Sequence, residues 1–153
     1  PRNVTILSAG DDSGISFTVT GTDETGDSAT ESITGANAGT ATGSAYFTTV
    51  TAIAAVGDPA GNVSAGSGTA IAAPMFRGRM RLRGIYAVNT GTAGTTTFRQ
   101  TSSSGAVRMK FNTVASANTT QYPDVPDDGI LFIAGGYVLY TQTTLSSLTV
   151  FYA

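Results

Sequence analysis

Apolar and hydroxyl side chains alternate along the first clear element of the chain. Ile15, Phe17 and Val19 occupy every second position, with Ser or Thr between them. A period of two places the two sets on opposite faces of a β-strand and does not fit the 3.6-residue period of a helix. The pattern therefore predicts a strand with one buried face.

A turn and a returning strand follow. Asp23–Asp27 is rich in turn-forming residues. Ser28–Ile33 then returns with Ala29, Glu31 and Ile33 on one face. We expect these segments to form a β-hairpin with the preceding strand.

The rest of the chain also favours strands. Val, Ile, Thr, Phe and Tyr dominate the stretches between turns, whereas helix formers such as Leu, Glu, Lys and Gln are rare. Turn signals recur at short intervals and leave no room for βαβ units. The predicted fold is all-β, an antiparallel β-sandwich or barrel. Further strands are expected at Tyr46–Ala55, near Val63, at Thr69–Ala72, Met75–Val88, Thr95–Thr101, Ala106–Asn112, Ile130–Ile133, Gly136–Thr141 and Leu148–Tyr152. In the alanine-rich pieces Ala52–Ala55 and Ala70–Ala73, a helical turn is the alternative.

Charge divides the chain into two parts. Residues 1–70 hold one basic residue, Arg2, against seven acidic ones, a net of −6. Residues 71–153 hold seven basic residues against three acidic ones, a net of +4. The split favours two small modules, an acidic one at 1–73 and a basic one at 74–153, joined near Pro74. A single sandwich with ends of opposite sign is the alternative.

The core is expected to be thin. Thr, Ala, Gly and Ser make up just over half of the chain, and Lys110 is the only lysine. Small side chains bury little apolar area, at about 25 cal/mol per Å². Packing against other copies would add stability, and lysine is depleted at protein interfaces. We therefore expect self-association. An acidic module of one copy packing head to tail on a basic module of the next would give a ring.

Several kinds of chemistry lack their usual residues. The chain has no Cys and no His. It therefore has no disulfide framework, thiolate metal site, histidine metal site or Ser-His-Asp triad. Neither a P-loop nor a dinucleotide-binding glycine motif is present. No run approaches the roughly 18 apolar residues of a membrane helix. We expect a non-enzymatic protein without a cofactor, metal or membrane partner.

The carboxylate pairs are interpreted as turns. Asp11 and Asp12 precede Ser13 and Gly14 but lack the ligand spacing of a calcium loop. The same interpretation applies to Asp23–Asp27 and to the acidic loop Asp124–Asp128. That last loop is part of Tyr122–Gly129, whose two prolines, Pro123 and Pro126, exclude a central strand.

The sharpest local feature is an alternation of arginines. If Met75–Val88 is one strand, then Arg77, Arg79, Arg81 and Arg83 line one face. The guanidinium group suits bidentate pairing with carboxylate or phosphate. The predicted role of this arginine stripe is a protein interface. A solvated face that blocks aggregation and a nucleic-acid contact are the alternatives. The nucleic-acid contact is disfavoured by the net negative charge, by Tyr86 being the only aromatic residue nearby for stacking and by the absence of a fingerprint such as RNP1.

Four segments of the first half carry a resemblance. Ser8–Asp23, Glu31–Ala41, Tyr46–Ile53 and Gly61–Gly66 together are similar to a small β domain that recurs in virion structural proteins of tailed bacteriophages. The likeness covers about residues 3–68. The second half is less distinctly similar to short phage structural proteins, in Arg83–Tyr86, the Tyr122–Gly129 loop and Thr149–Tyr152.

The resemblance implies a function without catalytic residues. It implies a virion protein on the outer capsid surface, a decoration or cement protein that binds the major capsid protein or another virion protein and stabilises the shell. It also implies a homotrimer at three-fold positions. A tail, fibre or other minor virion component is the first alternative. A carbohydrate-binding module is the second, and it would need tyrosines on one exposed face, drawn from Tyr46, Tyr86, Tyr122, Tyr137 and Tyr140.

Overall fold

The computed structural model describes residues 1–115 and 120–153, and every regular element within them is a β-strand. The strands form several antiparallel sheets, and the sheets do not close into a barrel. The predicted all-β class is confirmed, with a sandwich-like arrangement of open sheets. Within these residues no helix is long and apolar enough to cross a membrane.

The chain divides into two compact units, Pro1–Thr69 and Ala70–Ala153. The division falls slightly before the predicted 73/74 boundary, and Pro74 lies inside a strand, β6 (Val63–Phe76). Its partner strand is β12 (Gly136–Thr141), and the register between the two strands shifts between Gly136 and Tyr137. The shift creates a bulge beside Pro74, where a proline is tolerated.

Unit 1 consists of two sheets. Its strands are β1 (Arg2–Ser8), β2 (Ser16–Thr22), β3 (Ser28–Thr34), β4 (Thr40–Thr42), β5 (Thr49–Val56) and the first part of β6 (Val63–Phe76). One sheet has the order β4-β1-β6 and the other β3-β2-β5. Both alanine-rich pieces lie in strands, β5 and β6, so the helical alternative is wrong.

The predicted hairpin is confirmed in unit 1. Phe17 pairs with Ile33 and Val19 with Glu31, in register along β2 and β3. Phe17 and Val19 are buried, as the alternation predicts, and they join Val4, Ile6, Ile33 and Phe47 in the core of this unit.

The half-buried side chain of Glu31 ties a loop to this core. Its Oε1 accepts hydrogen bonds from the backbone N–H of Ser44 at 2.6 Å, the hydroxyl of Ser44 at 2.8 Å and the N–H of Ala45 at 3.0 Å. Asp12 anchors a second loop, the one that contains Ala60, since its Oδ1 accepts a hydrogen bond from the Ala60 N–H at 2.7 Å. These acidic side chains hold the fold of unit 1.

Unit 2 has a larger core. Its strands are the end of β6, β7 (Met80–Asn89), β8 (Gly94–Gln100), β9 (Val107–Thr113), β10 (Thr120–Gln121), β11 (Ile130–Phe132), β12 (Gly136–Thr141) and β13 (Leu145–Tyr152). One sheet has the order β6-β12-β8-β9. In the other, β7 pairs with β10, β11 and β13. The buried side chains between them are Met80, Leu82, Ile85, Ala87, Phe98, Phe132, Val138 and Leu145.

Candidate functional site

The arginine stripe does not lie on one strand. β6 ends at Phe76 and β7 begins at Met80. The segment Arg77–Arg79, here called the arginine turn, bends between them with Gly78 at φ +85°. A left-handed backbone angle interrupts the extended conformation of a strand, and glycine adopts this angle without steric cost. The predicted strand over Met75–Val88 is therefore wrong, and only Arg81 and Arg83 share a strand.

Arg81 and Arg83 are engaged within the molecule. The Arg81 guanidinium donates to the backbone carbonyl of Asp128 at 2.8 Å, and that of Arg83 to the carbonyl of Asp127 at 2.6 Å. Gly129, at φ +71°, lies against both arginine side chains and the Leu82 carbonyl, where a Cβ would meet that oxygen at 2.7 Å. These two arginines hold the acidic loop Asp124–Asp128 against β7.

Arg77 and Arg79 are the two arginines of the stripe that remain available for binding a partner. Both side chains are exposed. Neither has a hydrogen bond or an ion pair with any residue of the described ranges 1–115 and 120–153. The turn that carries them is itself fixed, because its Gly78 carbonyl accepts from the N–H of Gly135 at 2.6 Å. The two guanidiniums are thus presented to solvent from a held backbone.

Aromatic rings lie beside the arginine turn. The rings of Phe76 and Tyr152 have centroids 5.7 Å apart, and Phe76 also packs edge-on against the buried Phe132 at 5.5 Å. Tyr152 is 58% exposed and its neighbour Phe151 55% exposed. Arginine and aromatic side chains are the residues that protein interfaces enrich. Sequence reasoning missed the aromatic part, because Tyr152 is distant from Arg77 along the chain.

The carboxylate pairs form turns, as predicted. Asp11 Oδ1 accepts from the Ser13 hydroxyl at 2.7 Å and the Ser13 N–H at 3.1 Å, and these bonds lower the pKa of Asp11. In the described part of the chain, no group of three or more acidic side chains is arranged to hold a metal ion.

The Asp23 turn gives a pH-dependent prediction. Its Oδ1 accepts from the Thr25 hydroxyl at 2.7 Å, the Thr25 N–H at 2.8 Å and the Asp27 N–H at 3.0 Å. The Thr25 hydroxyl, followed by these backbone donors, holds the pKa of Asp23 below its ordinary value. A lowered pKa stabilises the folded turn above the unfolded value of about 4, and this stability is lost as pH falls through the folded pKa.

We therefore expect the amide resonances of Thr25 and Asp27 to shift together when Asp23 is protonated, with a midpoint below about 4. An NMR pH titration measures this. An Asp23→Asn variant keeps an oxygen acceptor but cannot titrate at this position, so the pH-dependent shift of both amides with this midpoint should disappear. A midpoint at or above the unfolded value in the unmodified chain would contradict the prediction.

The tyrosines do not form a common platform. Of the five considered for carbohydrate binding, Tyr137 is buried, Tyr46, Tyr86 and Tyr140 are half-buried, and Tyr122 is exposed. Tyr86 and Tyr122 lie in contact at 5.2 Å, but their planes are inclined by 59°. A flat sugar-stacking face is not built from these rings.

A second surface, in unit 1, was not predicted. Every residue of β5 is exposed, including Val50 at 41%, Ile53 at 37% and Val56 at 64%. Beside β5 lies an apolar cleft of about 400 Å³. Its lining residues come from the N-terminus, β1, β5, β6 and the segment before β5. They are Pro1, Arg2, Asn3, Val4, Phe47, Thr48, Val50, Ile53, Ala65, Gly66 and Ser67. The sequence signal was the uncharged run Thr49–Val56, in which alternation is lost.

Comparison of the chain with protein-family models, with curated proteins and with solved structures gives no match.

Proposed function

We propose that this protein is a non-enzymatic structural protein of a tailed-phage virion, a decoration protein that binds the outer shell. The phage resemblance of the segments within residues 3–68 gives the class. The arginine turn beside the exposed Tyr152 is the observation that carries the binding role. A tail or fibre component remains the alternative location.

The physical basis is the pairing of free cations with apolar rings. Arg77 and Arg79 have no carboxylate partner of their own in the described residues. An acidic protein surface would supply those partners, and Tyr152, whose ring contacts Phe76 beside the turn, would exclude water around them. Exposed ion pairs contribute about 0–1 kcal/mol each, whereas close charge pairs at an interface reach about 1.5–7 kcal/mol in a well-studied complex. The docking surface proposed here therefore consists of both kinds of side chain.

Arg77 and Arg79 face solvent without internal hydrogen bonds in the described residues, whereas Arg81 and Arg83 bond within the molecule. Replacing Arg77 and Arg79 with serine should weaken binding to shells by about 10- to 100-fold, since every 1.4 kcal/mol is a factor of ten. The fold should be unchanged because both side chains are exposed and neither makes a hydrogen bond or an ion pair within the described residues. Co-sedimentation with undecorated shells over a protein concentration series measures the affinity.

The matched control is the double variant Arg108→Ser and Lys110→Ser. It removes the same charge from exposed positions on β9, elsewhere in unit 2. Equal binding by both double variants, or by the arginine-turn variant and the unmodified chain, would refute the proposed surface. Loss of a salt-sensitive affinity for DNA in the arginine-turn variant would replace it with a nucleic-acid role.

Copy number tests the location. Quantitative mass spectrometry of purified virions should find hundreds of copies of a decoration protein, as a shell with many equivalent positions requires. A dozen copies or fewer would assign the protein to the tail apparatus. Its absence from virions would reject the proposal altogether.

A further inference from the structure

Strand β5 ends its sheet with an open edge. The order β3-β2-β5 leaves one side of β5 unpaired among the described residues. Natural proteins protect such edges with charged residues, proline, a β-bulge or a covering segment. β5 has one bulge, at Thr51, where its register with β2 shifts. Thr49–Val56 contains no charged residue and no proline, and all of it is exposed. An edge of this kind is a template for another strand.

The inner face of the sheet is also uncovered at β5. Phe17 stands opposite Ala55, and Val19 opposite Ile53, so these side chains share one face. Phe17 is 2% exposed and Val19 0%, but Ile53 is 37% exposed. The apolar row that begins in the core thus continues into solvent along β5.

We propose that β5 pairs antiparallel with β5 of a second copy, about a two-fold axis through Ile53. The two three-stranded sheets then form one six-stranded sheet, and the apolar row continues from Val19 and Ile53 of one copy to Ile53 and Val19 of the other. A two-fold contact joins identical patches, so it requires a surface that complements itself. An uncharged strand meets this requirement because no like charges oppose each other along it.

Charge at the strand ends favours a second copy as the occupant. In an antiparallel pair centred on Ile53, the Gly57–Asp58 turn that follows β5 of one copy lies beside the start of β5 of the other, next to Thr48. Thr48 adjoins Phe47, which forms a β-bridge with Arg2. Arg2 is the only basic residue in unit 1. The pairing therefore brings Asp58 of each copy toward Arg2 of its mate, twice by symmetry.

This inference concerns unit 1 and does not depend on the arginine turn. Light scattering of the purified chain at micromolar concentration should give the mass of a dimer. Ile53→Lys places two ammonium groups face to face on the axis and should weaken dimerisation by at least about tenfold. Thr30→Lys is the matched control, since Thr30 is exposed on β3 at the opposite edge of the same sheet, and it should leave the mass unchanged.

A cysteine scan tests the register directly, because the chain has no native cysteine. Residues directly opposite on paired strands have Cβ atoms about 4.5–5.5 Å apart, near disulfide reach. Under mild oxidation, Ile53→Cys should form a covalent dimer and Thr30→Cys should not. A monomer or a trimer for the unmodified chain would overturn the pairing, and so would a dimer in which Ile53→Cys crosslinks no faster than Thr30→Cys.

Discussion

Replacing Gly21 with alanine is expected to force β5 away from β2 and to lower the free energy of unfolding by about 3 kcal/mol or more. Gly21 is buried and pairs with Val50 at the point where the β2–β5 register shifts. A Cβ at this position would lie 1.9 Å from the Thr49 carbonyl oxygen and 3.0 Å from the Val50 Cα. Because both contacts are backbone, only displacement of β5 relieves the overlap.

Gly14→Ala is the matched control in the same unit. A Cβ on Gly14 would meet no atom within 4 Å, and its backbone angle suits any residue. We expect a change of at most about 0.5–1 kcal/mol there. Urea unfolding measures both variants, and hydrogen exchange of the β5 amides locates the damage. If Gly21→Ala unfolds like Gly14→Ala, the close approach of β5 is not required for stability.

The second large effect is expected at Phe98, in the core of unit 2. Phe98 is 0% exposed and lies on β8, opposite Val138 of β12 and Met109 of β9. Replacing it with alanine removes a ring that this small core cannot replace, and should cost about 3–5 kcal/mol.

The same substitution at Phe151 provides the comparison. Phe151 is 55% exposed, so Phe151→Ala should cost less than about 1 kcal/mol. Thermal and denaturant unfolding of the two variants give the difference. Similar losses at both positions would show that unit 2 is not held by the core around Phe98.

The hairpin of unit 1 could be predicted from sequence because its signals are local. Phe17 and Val19 alternate with hydroxyl residues, and a turn with Gly26 at φ +89° follows. Neither signal depends on a distant segment. The ladder joining β2 to β3 then follows from the length of the turn.

The arginine stripe shows where local reasoning failed. Alternating arginines match a strand only while every residue between them is extended. Gly78, the residue at the centre of the arginine turn, breaks that condition, and an interior glycine is a known sign of a bend or bulge in a strand. The internal bonds of Arg81 and Arg83 were hidden for another reason. Their acceptors, the carbonyls of Asp127 and Asp128, belong to a loop far along the chain.

The exposure of β5 could not be derived from its own residues. Val50, Ile53 and Val56 are residues that normally enter a core. Whether these residues become buried depends on how far the opposing sheet extends, and this cannot be derived from the sequence of β5 alone. The loss of alternation in Thr49–Val56 was the only local sign of an unusual strand.

The pairing of β7 with β13 affects how unit 2 folds during translation. β7 forms most of its ladder with Leu145–Tyr152, and joining such distant segments closes a large loop and slows folding. During synthesis, β7 leaves the ribosome well before β13 exists. Until then the edge of β7 that β13 will cover has no partner strand, and the apolar residues Leu82 and Ile85 lie along this unpaired stretch. Nascent chains on neighbouring ribosomes would meet at this edge, so slower translation would prolong the interval in which they can aggregate.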